Sequence, residues 1–245
     1  MPGVALVTGG SGGIGAAIAR RLVAGGADVA VTYANNAPHE LLAEHPEALT
    51  AHALDVRDAG AAEELIAQLL EKHTVIHTVV HAAGPHVPMI HLSRVTPEQF
   101  AAQINTDLVG FFNVAHAALT ALRASRGSLT AITSAATRRY PTRDGLSAAP
   151  KGGVEALARG LAAEEGRYGV RVNCVGPGML WDGMAARLIA SGDLDQHALE
   201  VTKSNIPLRS FGFATDIAEA VAFLTSPRAG FITGQKLDVD GGYTV

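Results

Sequence analysis

The stretch Val4-Ala-Leu-Val-Thr8-Gly-Gly-Ser-Gly-Gly13-Ile14-Gly15-Ala-Ala-Ile-Ala-Arg20 constrains the fold more than any other part of the chain. A short apolar run, read as a buried strand at Val4–Thr8, passes through a glycine-dense turn into an alanine-rich helix. Glycine density at such a junction has a physical use: one glycine makes the tight turn, one admits a pyrophosphate close to the backbone, and one lets helix and strand pack. Backbone N–H groups and the positive helix end then face the anion. Gly9, Ser11, Gly13, Ile14 and Gly15 are therefore assigned to a nucleotide phosphate site. The alternative at this point is an ordinary strand–turn–helix with glycine for flexibility.

The same alternation continues along the chain. Strands are expected at Asp28–Tyr33, Leu49–Leu54, Val75–Ala82, Ser128–Thr133, Val170–Val175 and Lys236–Val239. Helices are expected at Gly13–Ala24, Pro38–His45, Ala59–Lys72, Pro97–Asn105, Leu108–Ala124, Pro150–Arg167 and Thr215–Leu224, with Gly176–Arg209 irregular. Within the third helix Leu65, Ile66, Leu69 and Leu70 recur at helical spacing. Strand alternating with helix implies right-handed crossovers and a parallel sheet covered on both faces. The expectation is one Rossmann-type doubly wound α/β domain over 1–245, with a substrate lid at about 179–209. Ligands of such sheets bind outside the carboxyl ends of the strands. Here those are Gly9–Gly15, Tyr33–Asn36, Asp55–Val56, Ala82–Gly84, Ser134 and Pro177–Met184.

Composition narrows the partners. The chain is 48% apolar and 17% charged over 245 residues, enough to bury a large core. Net charge is −4 and no lysine/arginine cluster stands out, which argues against nucleic acid or an anionic membrane. The single cysteine, Cys174, lies in an apolar strand and reads as a buried small hydrophobe. No apolar run reaches the roughly 18 residues of a spanning helix, and no leader precedes the first strand, so a cytoplasmic protein is expected.

A dinucleotide fold selecting NAD places an acidic residue near the end of the second strand to accept from the ribose 2′-hydroxyl. None occurs between Asp28 and Glu40, so a 2′-phosphate meets no repulsion, Thr32, Asn35 and Asn36 can donate to it, and Tyr33 is placed with them at the cofactor. NADP(H) is favoured over NAD(H). Asp55 can accept from an adenine amino group; its alternative role is a helix N-cap, for which Asp58 competes.

Taken in order and spacing, Thr8-Gly-Gly-Ser-Gly-Gly-Ile-Gly15, Asp55-Val56, His81-Ala-Ala-Gly84 and Pro177-Gly178 resemble the short-chain dehydrogenase/reductase family. Ile206-Pro-Leu-Arg209, Ile232-Thr-Gly and Asp240-Gly-Gly242 resemble its 3-oxoacyl-carrier-protein reductase branch. The resemblance implies that Ala82, Ala83, Gly84, Pro177, Gly178 and Leu180 also line the cofactor, with Leu180 by the nicotinamide carboxamide. It further implies a small-molecule substrate such as an acyl thioester, and a homo-oligomer, tetramer or dimer. The family's chemistry pairs hydride transfer with a proton from a tyrosine, whose pKa a lysine four residues later lowers. Residues four apart share a helix face, so the ammonium lies beside the phenol.

The pattern then breaks. Ser134 matches the family serine and Lys151 the lysine, which also holds the ribose, but the tyrosine position is Ser147. The asparagine position is Asp107, Asn105 being two residues out of register. His81 replaces another asparagine, and Asp182 stands where a threonine binds pyrophosphate, a carboxylate expected to repel phosphate unless turned away. Asp107 and Tyr140, the latter near Arg138, Arg139 and Arg143, are the candidate proton donors. Each has a plain alternative: a structural carboxylate for Asp107 and a solvated loop for Tyr140. His81, His86 and His91 show no metal-ligand spacing, so no metal is expected. Within the family, 2,4-dienoyl-CoA reductases also lack the tyrosine, one branch having serine there and another aspartate at the Asp107 position. Mitochondrial-type members use a tyrosine soon after the serine-bearing strand; the matching residue here is Ala136. The readings are a reductase of carbonyl or conjugated enoyl substrates with a non-standard proton donor, a catalytically impaired dinucleotide-binding subunit partnering an active relative, or a partner that binds no cofactor.

Overall fold

A computed structural model describes residues 3–85, 87–182 and 196–245. Seven strands form one parallel sheet: β1 (Val4–Thr8), β2 (Asp28–Tyr33), β3 (Leu49–Ala53), β4 (Ile76–His81), β5 (Ser128–Ile132), β6 (Arg171–Pro177) and β7 (Lys236–Val239). Their order is β3-β2-β1-β4-β5-β6-β7, so β1 lies between β2 and β4 and the connections reverse direction there. The register places Val7 beside Val80 and Thr8 beside His81, bringing the turn after β1 next to the chain leaving β4. That crevice is where a doubly wound sheet takes its ligand.

The helices are α1 (Gly13–Ala24), α2 (His39–Glu44), α3 (Ala59–His73), α4 (Pro97–Ile104), α5 (Gly110–Ser125), α6 (Gly145–Glu165), α7 (Gln196–Ser204) and α8 (Ala214–Thr225). Successive strand side chains point to opposite faces, so β1 sends Val4 and Leu6 to one core and Ala5 and Val7 to the other. The first core gathers Leu65 and Leu69 of α3, Phe111 and Leu122 of α5, and Val154 and Ala158 of α6. The second gathers Ile18 of α1 with Ile217, Val221 and Leu224 of α8. Helices thus cover both faces. No helix among the described residues is long and apolar enough to cross a membrane.

Local signals explain several boundaries. Asp58 caps α3, its carboxylate accepting from Ala61 N–H at 3.0 Å. Thr96 and Gln99 form a reciprocal capping box on α4, with Pro97 at the first helical position. Elsewhere the expectations need correction. The two mid-chain helices are not separate: a π-helical turn, Asn105–Val109, joins α4 to α5. Helix α6 begins at Gly145, not Pro150, and Pro150 lies inside it. The stretch expected to be irregular contains α7, and residues 183–195 of the expected lid, including Met184, Leu188 and Ile189, lie outside the described residues.

Glycine is required at the first turn for want of room. A Cβ on Gly15 would sit 2.2 Å from the Gly9 carbonyl oxygen, whereas one on Gly160, exposed in α6, would meet nothing within 4 Å. Gly160→Ala should therefore raise stability by about 0.5–1 kcal/mol, and Gly15→Ala should lower it by about 1–3 kcal/mol. Urea denaturation of the two variants checks both signs.

Candidate active site

The site starts with the turn after β1. Gly9 has φ +73°, and a Cβ on it would fall 2.7 Å from Ala83 Cα and 2.8 Å from the Ala82 carbonyl oxygen. Its N–H donates to Thr32 Oγ1 at 3.3 Å, and Gly10 N–H to the Thr32 carbonyl at 2.8 Å. Thr32 is therefore part of the turn's support and is buried, which corrects its expected place at a 2′-phosphate. At the head of α1, Gly12 is the N-cap without a side-chain cap, no acidic residue occupies the first turn, and Gly12, Gly13, Ile14 and Gly15 face a cavity. First-turn N–H groups have no partner within the helix. Unfilled donors, a positive helix end and a backbone that admits no Cβ fit the phosphates of a dinucleotide.

That cavity, of about 280 Å³, is closed by the other strand ends. Ala82, Ala83 and Gly84 after β4, Ser134 after β5, Pro177, Gly178 and Leu180 after β6, and Ser147 and Lys151 of α6 all line it. Lys151 Nζ stands 3.5 Å from Asp107 Oδ2. Asp107 lies in the π-helical turn, is 2% exposed, and accepts from Gln103 Nε2 at 2.9 Å on the same oxygen, while Oδ1 has no partner. Gly84 passes so close over this pair that a Cβ would be 3.3 Å from Asp107 Oδ1 and 3.5 Å from Lys151 Nζ.

The profile described as enoyl-(acyl carrier protein) reductase matches residues 9–244. A peroxisomal 2,4-dienoyl-CoA reductase of Saccharomyces cerevisiae is 33% identical over 98% of this chain and 83% of its own. An L-fucose dehydrogenase of Mus musculus is 34% identical over 98% of this chain and 87% of its own. Among solved structures, ElxO with NADP bound superposes with a TM-score of 0.91 at 26% identity over 99% of both chains. The chain belongs to the short-chain dehydrogenase/reductase family. Members of this family are oxidoreductases that work with a nicotinamide dinucleotide.

Set against the short-chain dehydrogenase/reductase pattern, the residues divide into three groups. Ser134 and Lys151 share the cavity wall with Ser147, one helical turn before the lysine. Ser134 is held firmly: its Oγ accepts from Ala136 N–H at 3.1 Å, and its carbonyl accepts from Lys236 Nζ at 2.8 Å. Lys236 also donates to Thr137 Oγ1 at 2.6 Å and pairs with Glu155 at 3.2 Å, tying this loop to α6. Asp107 lies behind the wall, against Lys151.

A second group sits away from the cavity. Tyr33, Asn35 and Ser11 lie at or beyond their strand ends without lining it, Asn35 and Ser11 being exposed. Arg57 donates to both Asp55 oxygens, at 2.9 and 3.0 Å from Nε and 2.5 Å from Nη2, and holds the carboxyl below the usual range. Val56 is a buried residue against which Gly110 packs. Tyr140 does not line the cavity and is 72% exposed. Of its arginine neighbours, Arg138 pairs with Asp238 at 3.3 Å and Arg139 donates to the Tyr243 carbonyl.

The third group takes roles that the pattern alone did not indicate. The Asp182 carboxylate accepts from Ala214 N–H at 3.0 and 3.1 Å, capping the start of α8 with the charge the pyrophosphate position was expected to suffer. Asp144, absent from the sequence candidates, lines the cavity. Burial pushes its carboxyl up to about 6 against the opposing pull of Lys151. Its spacing of three and seven residues to Ser147 and Lys151 is the missed signal, hidden by starting the helix at Pro150. His86 lies outside the described residues, and His91 is exposed.

His81 is 3% exposed, shares a hydrogen bond with Thr8 Oγ1 at 3.1 Å through Nδ1, and leaves Nε2 without a partner. Burial first, and the Lys151 charge second, lower its pKa from 6.5 to about 3. Between those values the unfolded chain binds a proton that the folded chain does not. Stability from neutral His81 is thus complete above 6.5 and is lost as pH falls toward 3. Going from pH 7 to pH 5 should cost the wild type about 2 kcal/mol more than His81→Asn, as read by urea denaturation at each pH.

Proposed function

We propose that the chain is an NADP(H)-dependent reductase of a carbonyl or conjugated enoyl substrate, an acyl thioester before others, that works without the family tyrosine. The observation that carries this reading is Lys151, whose ammonium is backed by buried Asp107 and stands on one wall with Ser134 and Ser147. In this reading Gly13, Ile14 and Gly15 bind phosphate through main-chain N–H groups. Tyr33 and Asn35 face the 2′-phosphate side, and Asp55 and Val56 the adenine side. Ala82–Gly84, Pro177, Gly178 and Leu180 border the remaining cofactor surface, and Lys151 holds the ribose. Bound there, reduced nicotinamide supplies hydride. The Ser134 and Ser147 hydroxyls hold the substrate oxygen and polarise its double bond.

Support for the cofactor comes from the absence of an acidic residue between Asp28 and Glu40 and from the NADP-bound structural relative. Support for an enoyl thioester comes from the yeast relative, named as a 2,4-dienoyl-CoA reductase. The same reading takes the chain as a cytoplasmic homo-oligomer, dimer or tetramer, of one domain. A second reading, a catalytically impaired dinucleotide-binding subunit, is favoured by one fact: no tyrosine lines the cavity among the described residues.

Titration by fluorescence should show NADPH binding in the micromolar range and weaker NADH binding; binding of neither sinks both readings. NADPH oxidation with enoyl and 3-oxoacyl thioesters separates the first reading from the second. Lys151→Ala should lower that activity by about 100-fold, and unchanged activity would remove Lys151 from the chemistry. Ser147→Tyr, which restores a phenol four residues before the lysine, should add ketone reduction.

A further inference from the structure

The proton source is the open part of the reading above, and neither sequence-derived candidate is placed to serve it. Tyr140 stands outside the cavity, and Asp107 lies beneath Lys151 with 2% exposure. Asp144 differs from both. It occupies the N-cap position of α6, yet its side chain caps nothing. The Ser147 N–H, which a capping carboxylate would take, donates instead to the Asp144 main-chain carbonyl at 3.1 Å. A capping aspartate normally sits on extended backbone. Asp144 has φ −100° and ψ 9°, in the sparsely occupied bridge region where active-site residues recur. Its carboxyl is thereby released from the helix end and makes no hydrogen bond among the described residues.

Asp144, Ser147 and Lys151 follow one another at i, i+3 and i+7, which is a single stripe of a helix, and all three line the cavity. We propose that the Asp144 carboxylic acid delivers the proton that completes reduction of the substrate. This rests on the reductase reading above. The two electrons arrive as hydride from reduced nicotinamide. The Asp144 O–H bond breaks, and its proton forms an O–H or C–H bond on the substrate. The electron pair stays on the carboxylate, and water restores the proton.

The charged groups around Asp144 permit this. Lys151 is the cation that acts on it, and it favours the carboxylate; burial outweighs it, so the acid form persists to about pH 6. Asp182, across the cavity, is engaged by Ala214 N–H, and Asp107 sits against Lys151. Leu92 packs against Gly145, and its neighbours His91 and Arg94 are exposed, as is Arg143.

The test is Asp144→Asn in the full chain, with Asp107→Asn beside it. With NADPH and an enoyl or 3-oxoacyl thioester, wild-type kcat should be level below about pH 6 and fall about tenfold per pH unit above it. Asp144→Asn should lower kcat by about 100-fold or more and erase that limb, leaving the KM for NADPH unchanged. A readout that needs no turnover is thioester binding to the complex with oxidised NADP. It should tighten below pH 6 in the wild type and be independent of pH in Asp144→Asn. A third readout is the Asp144 carboxyl carbon, which should titrate near 6 by NMR. A limb that survives Asp144→Asn or disappears in Asp107→Asn overturns the inference and leaves the reductase reading standing. So does pH-independent thioester binding, or titration near 4. A wild type that turns over no thioester or ketone overturns the reductase reading, and proton delivery falls with it.

Discussion

The close approach of two backbones holds the site together. The turn after β1 crosses the end of β4 with no room for a Cβ at Gly9, and α1 begins so tightly that none fits at Gly15. Because β1 and β4 are parallel neighbours, paired regularly from Ala5–Thr78 to Thr8–His81, the Gly9 and Ala82–Gly84 segments leave the sheet side by side. Their helices then depart to opposite faces. The crevice between them is a product of strand order, and the cavity residues at the strand ends take their positions from that geometry. Ser134 is set by the end of β5, and Asp182 by the chain leaving β6 toward α8.

Within that frame the Asp107–Lys151 pair joins two parts of the fold. Asp107 comes from a π-helical turn, where one extra residue is accommodated between α4 and α5, and such turns concentrate at functional sites. Gly84, just after β4, lies tightly over the pair, where a Cβ would stand 3.3 Å from Asp107 Oδ1. A buried ion pair is weak evidence for stability, so positional specificity is the better account of it: the ammonium is fixed where the helix α6 stripe meets the cavity. The orphaned Asp107 Oδ1 and His81 Nε2 mark the same region as polar ground that packing alone would not select.

The architecture was legible in the sequence because burial dictates continuous apolar runs in strands covered on both faces, as at Val4–Thr8, and period-3.6 patterns in helices such as Ala59–His73. The site was legible less evenly. Where a residue's role follows from backbone crowding, as at Gly9 and Gly15, its identity is a sufficient clue. Where the role depends on a side chain's partner, identity misleads. Thr32 looks like a donor to a ligand and is a support of the turn. Asp182 looks like a repulsive charge and is a helix cap. Pro150 looks like a first helical residue, which its missing N–H favours, and is an interior one. That last misreading displaced the helix start by five residues and hid Asp144 in a loop.

With no tyrosine on the cavity wall among the described residues, an acid there meets a different demand. A phenol begins near pKa 10 and a carboxyl near 4, so they approach neutrality from opposite sides. A neighbouring lysine helps the first by lowering its pKa and harms the second in the same way. A site that replaces tyrosine by a carboxylic acid therefore needs desolvation strong enough to outweigh the lysine, or a lysine whose field is partly cancelled. Both conditions are met in part: Asp144 is half-buried, its burial outweighing Lys151, and Lys151 lies against the buried side chain of Asp107. On the proposed role of Asp144, the Asp107 carboxyl beside Lys151 offsets part of the field that opposes the acid form.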